Sequence, residues 1–288
     1  MTVLRLIVTD MDGTLLNSRR QIPAANAAAL QMAQSRGCEI AIATGRTYAN
    51  ALALCRDAGL NPHIISNHGA FVHSKSGKRL LATGLAKARI QRALTWLDSR
   101  RYYYNICTDT HSYVPAGSDR ILAQDYQEAG SVIDGVTAEA VKAAIAYFCR
   151  ASAGRTLVSG IDEILDKDLA YGSIVAISFD RDKLAAGRSY FGAAAGLALN
   201  IAGDTIFELV DAGASKGLAL ERLCDWLRLP LAETMAIGDH YNDLSMLRRA
   251  GLSIAMGNAE AAVKSVCNEV TLTNDCNGVA ACVRKHIG

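Results

Sequence analysis

The run Val3-Leu4-Arg5-Leu6-Ile7-Val8-Thr9 is mostly apolar and β-branched, and it breaks abruptly into Asp10, Asp12, Gly13 and Thr14. Such a run reads as a buried parallel strand. Open α/β sheets hold their ligands just outside the carboxyl ends of strands, which is where the two acids fall. Gly13 lets the chain turn sharply without a Cβ penalty. Strand alternation would send Asp10 and Asp12 to the same side. Two carboxylates there repel unless a cation or a shared proton intervenes. The pair suits a Mg²⁺ site with one acid as ligand or nucleophile and the other as proton carrier. Taken alone, the motif also fits a strand and an Asp-Gly turn whose acids merely cap the next helix.

The remaining chain repeats the pattern. Pro23 and an Ala-rich stretch predict a helix over residues 24–36, ended by Gly37. Glu39 to Ala43 predicts a strand ending in Thr44-Gly45-Arg46, and residues 48–58 a helix. His63 to Ser66 predicts a third strand ending in Asn67-His68-Gly69-Ala70, followed by a hairpin turning at Ser76-Gly77. From residue 84 the texture changes to an α+β module with an antiparallel sheet. Its strands include Tyr102-Tyr103-Tyr104, and its helices include residues 119–128 and 138–150. From residue 212 the first pattern resumes. Lys216 starts a helix, and Glu233 to Ile237 forms a strand ending in Gly238-Asp239-His240-Tyr241-Asn242-Asp243. A further strand ends in Gly257-Asn258. Alternating strands and helices predict an α/β fold, a doubly wound parallel sheet with an inserted module. The core takes residues 1–83 and 212–288, and the insertion takes 84–211.

Four polar sets thus lie at predicted strand or helix ends: Asp10/Asp12/Thr14, Thr44/Gly45/Arg46, Lys216, and Asp239/Asn242/Asp243. A parallel sheet gathers such ends along one edge. Asp10 and Asp239 offer oxygens to a hard cation. One aspartate can attack phosphorus, and Asp12 can protonate the leaving oxygen. Thr44 and N–H groups near Gly13 and Gly45 can hold phosphate oxygens, and Lys216 offers positive charge.

Composition excludes other classes. The 288 residues carry 30 basic and 28 acidic side chains with no basic block, so nothing favours nucleic acid. No signal peptide and no membrane-length apolar run is evident. The eight cysteines form no Cys-x-x-Cys pair, which predicts reduced thiols and a cytoplasmic protein.

With these motifs in place, the chain resembles the haloacid-dehalogenase superfamily phosphatases, in particular the Cof-type branch of subfamily IIB with its C2B cap. The resemblance implies that Asp10 is the nucleophile and Asp12 the general acid/base. It implies Mg²⁺ held by Asp10, the Asp12 carbonyl and Asp239, with Asp243 in support. It implies phosphate or substrate contacts from Thr14, Thr44, Gly45, Arg46, Lys216 and Asn242. Residues 84–211 map onto the cap that reads the substrate, with Tyr102, Tyr103, Tyr104, Asp109 and His111 as candidates to face its cleft. One departure stands out. The branch reads Asn-Gly-Ala after the third strand, whereas this chain reads His68-Gly69-Ala70 with Asn67 one place early. His68 either fills a loop or touches the leaving group.

The expected activity is Mg²⁺-dependent hydrolysis of small phosphorylated metabolites, sugar phosphates first, without nucleic-acid or membrane partners. Two alternatives share parts of the chemistry: a sugar phosphomutase or phosphotransferase of the same fold, and a phosphoacceptor signalling domain.

Overall fold

A computed structural model describes residues 3–129, 154–201 and 203–288. The chain forms two compact units, Met1–Ala82 with Ala214–Gly288, and Thr83–Gly213. The first unit begins with β1 (Leu6–Thr9), α1 (Ala24–Ser35), β2 (Glu39–Ala43), α2 (Tyr48–Asp57) and β3 (His63–Ser66). A hairpin of β4 (Phe71–His73) and β5 (Arg79–Ala82) follows. Thr47 caps α2 by accepting the Asn50 N–H.

The second unit contains α3 (Lys87–Ser99), β6 (Tyr103–Cys107), β7 (Ser112–Pro115), α4 (Ser118–Ala129) and β8 (Arg155–Val158). It continues with α5 (Ile161–Asp166), β9 (Ser173–Ile177), α6 (Arg181–Gly192), β10 (Leu197–Ile201) and β11 (Ile206–Asp211). Its sheet runs β10-β11-β9-β6-β7-β8. The pairs are antiparallel except β7–β8, which is parallel. The expected antiparallel sheet thus gains one parallel neighbour, β8. The long connection from Pro115 to Arg155 permits the crossover that a parallel neighbour needs. The helix expected at 138–150 lies outside the described residues.

The three tyrosines are core residues rather than cleft residues. Tyr102 and Tyr104 are buried with Ile90, Leu94 and Leu97 of α3 and with Phe207. Tyr103 points the other way and joins Val114, Leu122 and Ile177. Both faces of β6 are therefore covered. The Tyr102 hydroxyl donates to the Lys183 carbonyl, and burial pushes its pKa up to about 12.

The chain returns to the first unit with α7 (Lys216–Leu227), β12 (Thr234–Gly238), α8 (Leu244–Leu247) and β13 (Leu252–Ala255). It ends with α9 (Ala261–Lys264), β14 (Glu269–Val270) and α10 (Gly278–Ile287). The sheet order is β14-β13-β12-β1-β2-β3-β4-β5. Strands β14 through β3 pair in parallel, and β4 and β5 add an antiparallel edge. The chain winds outward from β1 through β2 and β3, then re-enters beside β1 as β12 and winds outward the other way. This doubly wound order puts its switch point between β1 and β12.

Leu6, Ile7, Val8, Ile40, Ala41, Ile42, Met235, Ala236 and Ile237 are all essentially inaccessible. Continuous burial, rather than alternation, is what a parallel sheet covered on both faces requires. Each large aliphatic side chain so placed contributes about 1.5–3 kcal/mol. Among the described residues, Cys38, Cys55, Cys107, Cys224 and Cys282 are free and buried. Burial pushes the Cys55 and Cys282 thiols up to about 12. No helix among the described residues is long and apolar enough to cross a membrane.

Candidate active site

Strand β1 ends at Thr9, and a tight turn occupies Met11–Leu15. The strand alternation expected to align Asp10 with Asp12 therefore does not extend to Asp12. Asp10 is buried, and its Oδ1 accepts from Lys216 Nζ at 2.6 Å. Asp12 is half exposed and is gripped by Arg46, whose Nε and Nη2 each donate to one carboxylate oxygen at 2.6 Å. Arg46 Nη1 also donates to Asn50 Oδ1 at 2.7 Å. Arg46, expected to face the substrate, here pairs with the second acid.

Lys216 is the first residue of α7. Ser215 caps that helix by accepting the Leu218 N–H at 3.1 Å, an arrangement worth about 1 kcal/mol. The Lys216 ammonium is fully buried and donates a second bond to Asp243 Oδ1 at 2.7 Å. Asp243 Oδ2 in turn accepts the backbone N–H groups of Asp239 and His240, at 2.9 and 3.0 Å. Asp243 thereby folds the loop after β12 back on itself and aims Lys216 at Asp10. Thr14 is inaccessible, and its hydroxyl donates to Asp239 Oδ1 at 2.7 Å. Thr14, expected among the phosphate or substrate contacts, here steadies an acid.

Asp10, Asp239 and Asp243 each offer a carboxylate oxygen, and these oxygens lie within 4.8 Å of one another. Burial raises the Asp10 carboxyl well above its ordinary range; Lys216 opposes the rise, while Asp243 and Asp239 add to it. Burial also pushes Asp239 up to about 6, reinforced by Asp243 and opposed by the Thr14 hydroxyl. Burial works against the Lys216 charge, yet Asp10 and Asp243 outweigh it and hold the ammonium protonated above its usual range. Three carboxylates thus face one ammonium. An all-oxygen, net-acidic cluster of this kind fits a hard divalent cation.

The loops after β2 and β3 complete the edge. Thr44 is buried, and its hydroxyl accepts the Arg46 N–H at 3.1 Å. Asn67, His68 and Gly69 have φ of 48°, 56° and 103°, three left-handed residues in succession. Each non-glycine residue there costs about 1–2 kcal/mol, so the surroundings must impose the shape. The Asn67 N–H donates to the Arg46 carbonyl at 2.9 Å and the His68 N–H to the Thr44 carbonyl at 3.0 Å. A Cβ at Gly69 would collide with the Ser215 carbonyl beside Lys216. A Cβ at Gly45 would stand 2.6 Å from the His68 ring. His68 Nδ1 lies 3.3 Å from Asn242 Nδ2.

The expected residues of four chain segments therefore gather at one sheet edge. His68, left open in the sequence between filling a loop and touching the leaving group, reaches Asn242, and one participant carried no assignment: Asn258, which donates to the Gly13 carbonyl at 2.8 Å. Asn258 was visible only as a polar residue after a predicted strand.

Comparisons with known proteins identify the family. Residues 7–283 match the model of the haloacid dehalogenase-like hydrolases. Phosphatase YwpJ of Bacillus subtilis is 36% identical, over 99% of this chain and 100% of its own length. The 5-amino-6-(5-phospho-D-ribitylamino)uracil phosphatase YwtE of the same organism is 32% identical, over 96% of each chain. A solved haloacid dehalogenase-like hydrolase from B. subtilis superposes with a TM-score of 0.84 at 35% identity, covering 98% of this chain and 99% of that one.

Proposed function

The chain belongs to the haloacid dehalogenase-like hydrolases, and from that premise we propose that it is a Mg²⁺-dependent phosphatase of small phosphorylated metabolites, sugar phosphates foremost. The observation that carries the reading is the buried set around Asp10: three carboxylates, one ammonium, and oxygens close enough to share a cation. Asp10 and Asp239 would hold the metal, with the Asp12 carbonyl as a further ligand and Asp243 behind them. When bound, the cation would offset the acids and let a phosphate dianion approach a carboxylate.

Asp10 is the nucleophile. One of its oxygens forms a bond to phosphorus as the bond to the leaving oxygen breaks, giving an aspartyl-phosphate. Asp12 supplies the proton to the leaving oxygen, and then takes one from the water that attacks phosphorus and frees Asp10. Arg46 holds Asp12 bidentately, so its turnover as an acid requires that pair to open. Lys216 keeps a positive charge against Asp10 throughout. Thr44, Gly45 and Asn242 supply phosphate contacts. The unit Thr83–Gly213 acts as the cap that selects the leaving group. The phosphorylated ribityl chain in the name of the YwtE relative belongs to the same substrate class. We assign the protein to the cytoplasm on the free cysteines of the described residues.

The test is phosphate release from a panel of phosphorylated metabolites, with Mg²⁺, with a chelator, and with Asp10→Asn. Metal-dependent release that falls by roughly 10³-fold or more in the variant is expected. Near-normal release by a folded Asp10→Asn protein would remove Asp10 as nucleophile. Transfer to a second sugar hydroxyl rather than to water would identify a phosphotransferase.

A further inference from the structure

We infer that His68 is a positioning residue that sets the Asn242 amide for phosphate binding, an inference that rests on the phosphatase reading of this site. An amide nitrogen can only donate, so at 3.3 Å Asn242 Nδ2 gives a hydrogen to His68 Nδ1. Nδ1 as acceptor corresponds to the tautomer with its hydrogen on Nε2. One amide N–H of Asn242 is committed to the ring, which fixes the amide plane and leaves the other N–H for a phosphoryl oxygen.

The rest of the loop holds the imidazole where this can happen. His68 is 4% exposed and sits in the left-handed region, tied through its N–H to the Thr44 carbonyl. Its Cε1 and Nε2 occupy the space that a side chain at position 45 would need. The next residue packs against the backbone that carries Lys216. One residue thus touches the loops after β2 and β12 from the loop after β3. A shorter side chain at 68 would keep the backbone but lose the reach to Asn242.

A double-mutant cycle on inorganic phosphate binding tests this. Calorimetry in Mg²⁺ would compare wild type, His68→Asn, Asn242→Ala and the pair. Asn tolerates the left-handed backbone, so the loop survives. Each single variant should weaken phosphate about tenfold, and the double variant should be no weaker than Asn242→Ala alone. Additive losses, or a His68→Asn protein that binds phosphate as wild type does, would overturn the inference. Should His68→Asn not fold, ¹⁵N spectra of the imidazole decide. Wild type should show the Nε2–H tautomer at His68 and Asn242→Ala should lose it; an unchanged spectrum overturns the inference. Ester hydrolysis by wild type is scored separately. Its absence would overturn the phosphatase reading, while the phosphate cycle still decides on His68.

Discussion

Lys216 and Asp10 stand 206 positions apart in the chain, yet Nζ and Oδ1 meet at 2.6 Å in a fully buried contact. The contact unites the two winding directions of the sheet, since Asp10 follows β1 and Lys216 opens the helix that leads back to β12. The same ammonium is shared with Asp243, so the ion pair is one side of a triangle.

Lys216→Met should break that triangle and leave Asp10 and Asp243 buried without a cation. A loss of about 3–5 kcal/mol is expected. Urea unfolding measures it. Mg²⁺ should return part of the loss by binding the folded state alone. Turnover should fall on every phosphate ester alike. A drop confined to one ester would mean that Lys216 reads the leaving group.

Arg46 meets Asp12 through a planar fork rather than as a point charge. Arg46→Lys should therefore lose nearly as much activity as Arg46→Ala, about tenfold in kcat/KM for both. A lysine variant with wild-type kinetics would show that charge alone suffices.

Gly45→Ala places a methyl group against the His68 ring and should destabilise by about 1–3 kcal/mol. His68→Gly removes the ring and also suits the left-handed backbone. The Gly45→Ala/His68→Gly pair should regain the stability that Gly45→Ala loses, as read by thermal unfolding. Strictly additive losses would mean that the ring is not what Gly45 makes room for.

A pH effect should arise far from the acids, at His63. Burial lowers its pKa, against the pull of Glu39. Nε2 lies 3.2 Å from Glu39 Oε2, and Nδ1 accepts the Lys75 N–H at 3.2 Å, which a doubly protonated ring could not do. A depressed histidine stabilises the fold above its unfolded pKa of about 6.5, and that stability drains away as pH falls through the lower folded value. His63→Gln should flatten the decline in melting temperature between pH 7 and pH 5. An equally steep decline in the variant would exonerate His63.

The sequence exposes what depends on strand burial and strand ends. Leu6–Val8, Ile40–Ala43 and Met235–Ile237 are apolar without interruption because both their faces are covered, and that pattern is visible without coordinates. The acids and Lys216 are visible because they interrupt it. What stays hidden depends on approach between loops. Nothing in the letters Asn67-His68-Gly69 announces three left-handed residues or a ring laid over Gly45. Thr14 and Arg46 lie in the expected cluster, but their partners follow from a turn geometry that a strand period cannot supply. Tyr102 to Tyr104 mislead for the opposite reason: alternation suggests one open face, and a second helical layer closes it.

The pairing of β1 with β12 has a consequence for how the protein is made. Leu6 is synthesised more than 200 residues before its partner Thr234. At roughly 5–20 residues per second, β1 spends on the order of ten seconds or more with one ladder edge vacant. The nascent strand can pair with β2 meanwhile, while Asp10 waits for the lysine that neutralises it. The acid centre therefore cannot assemble until β12 and the acids after it have been made, and a chain truncated before β12 should emerge as a sticky, half-edged sheet without a working site.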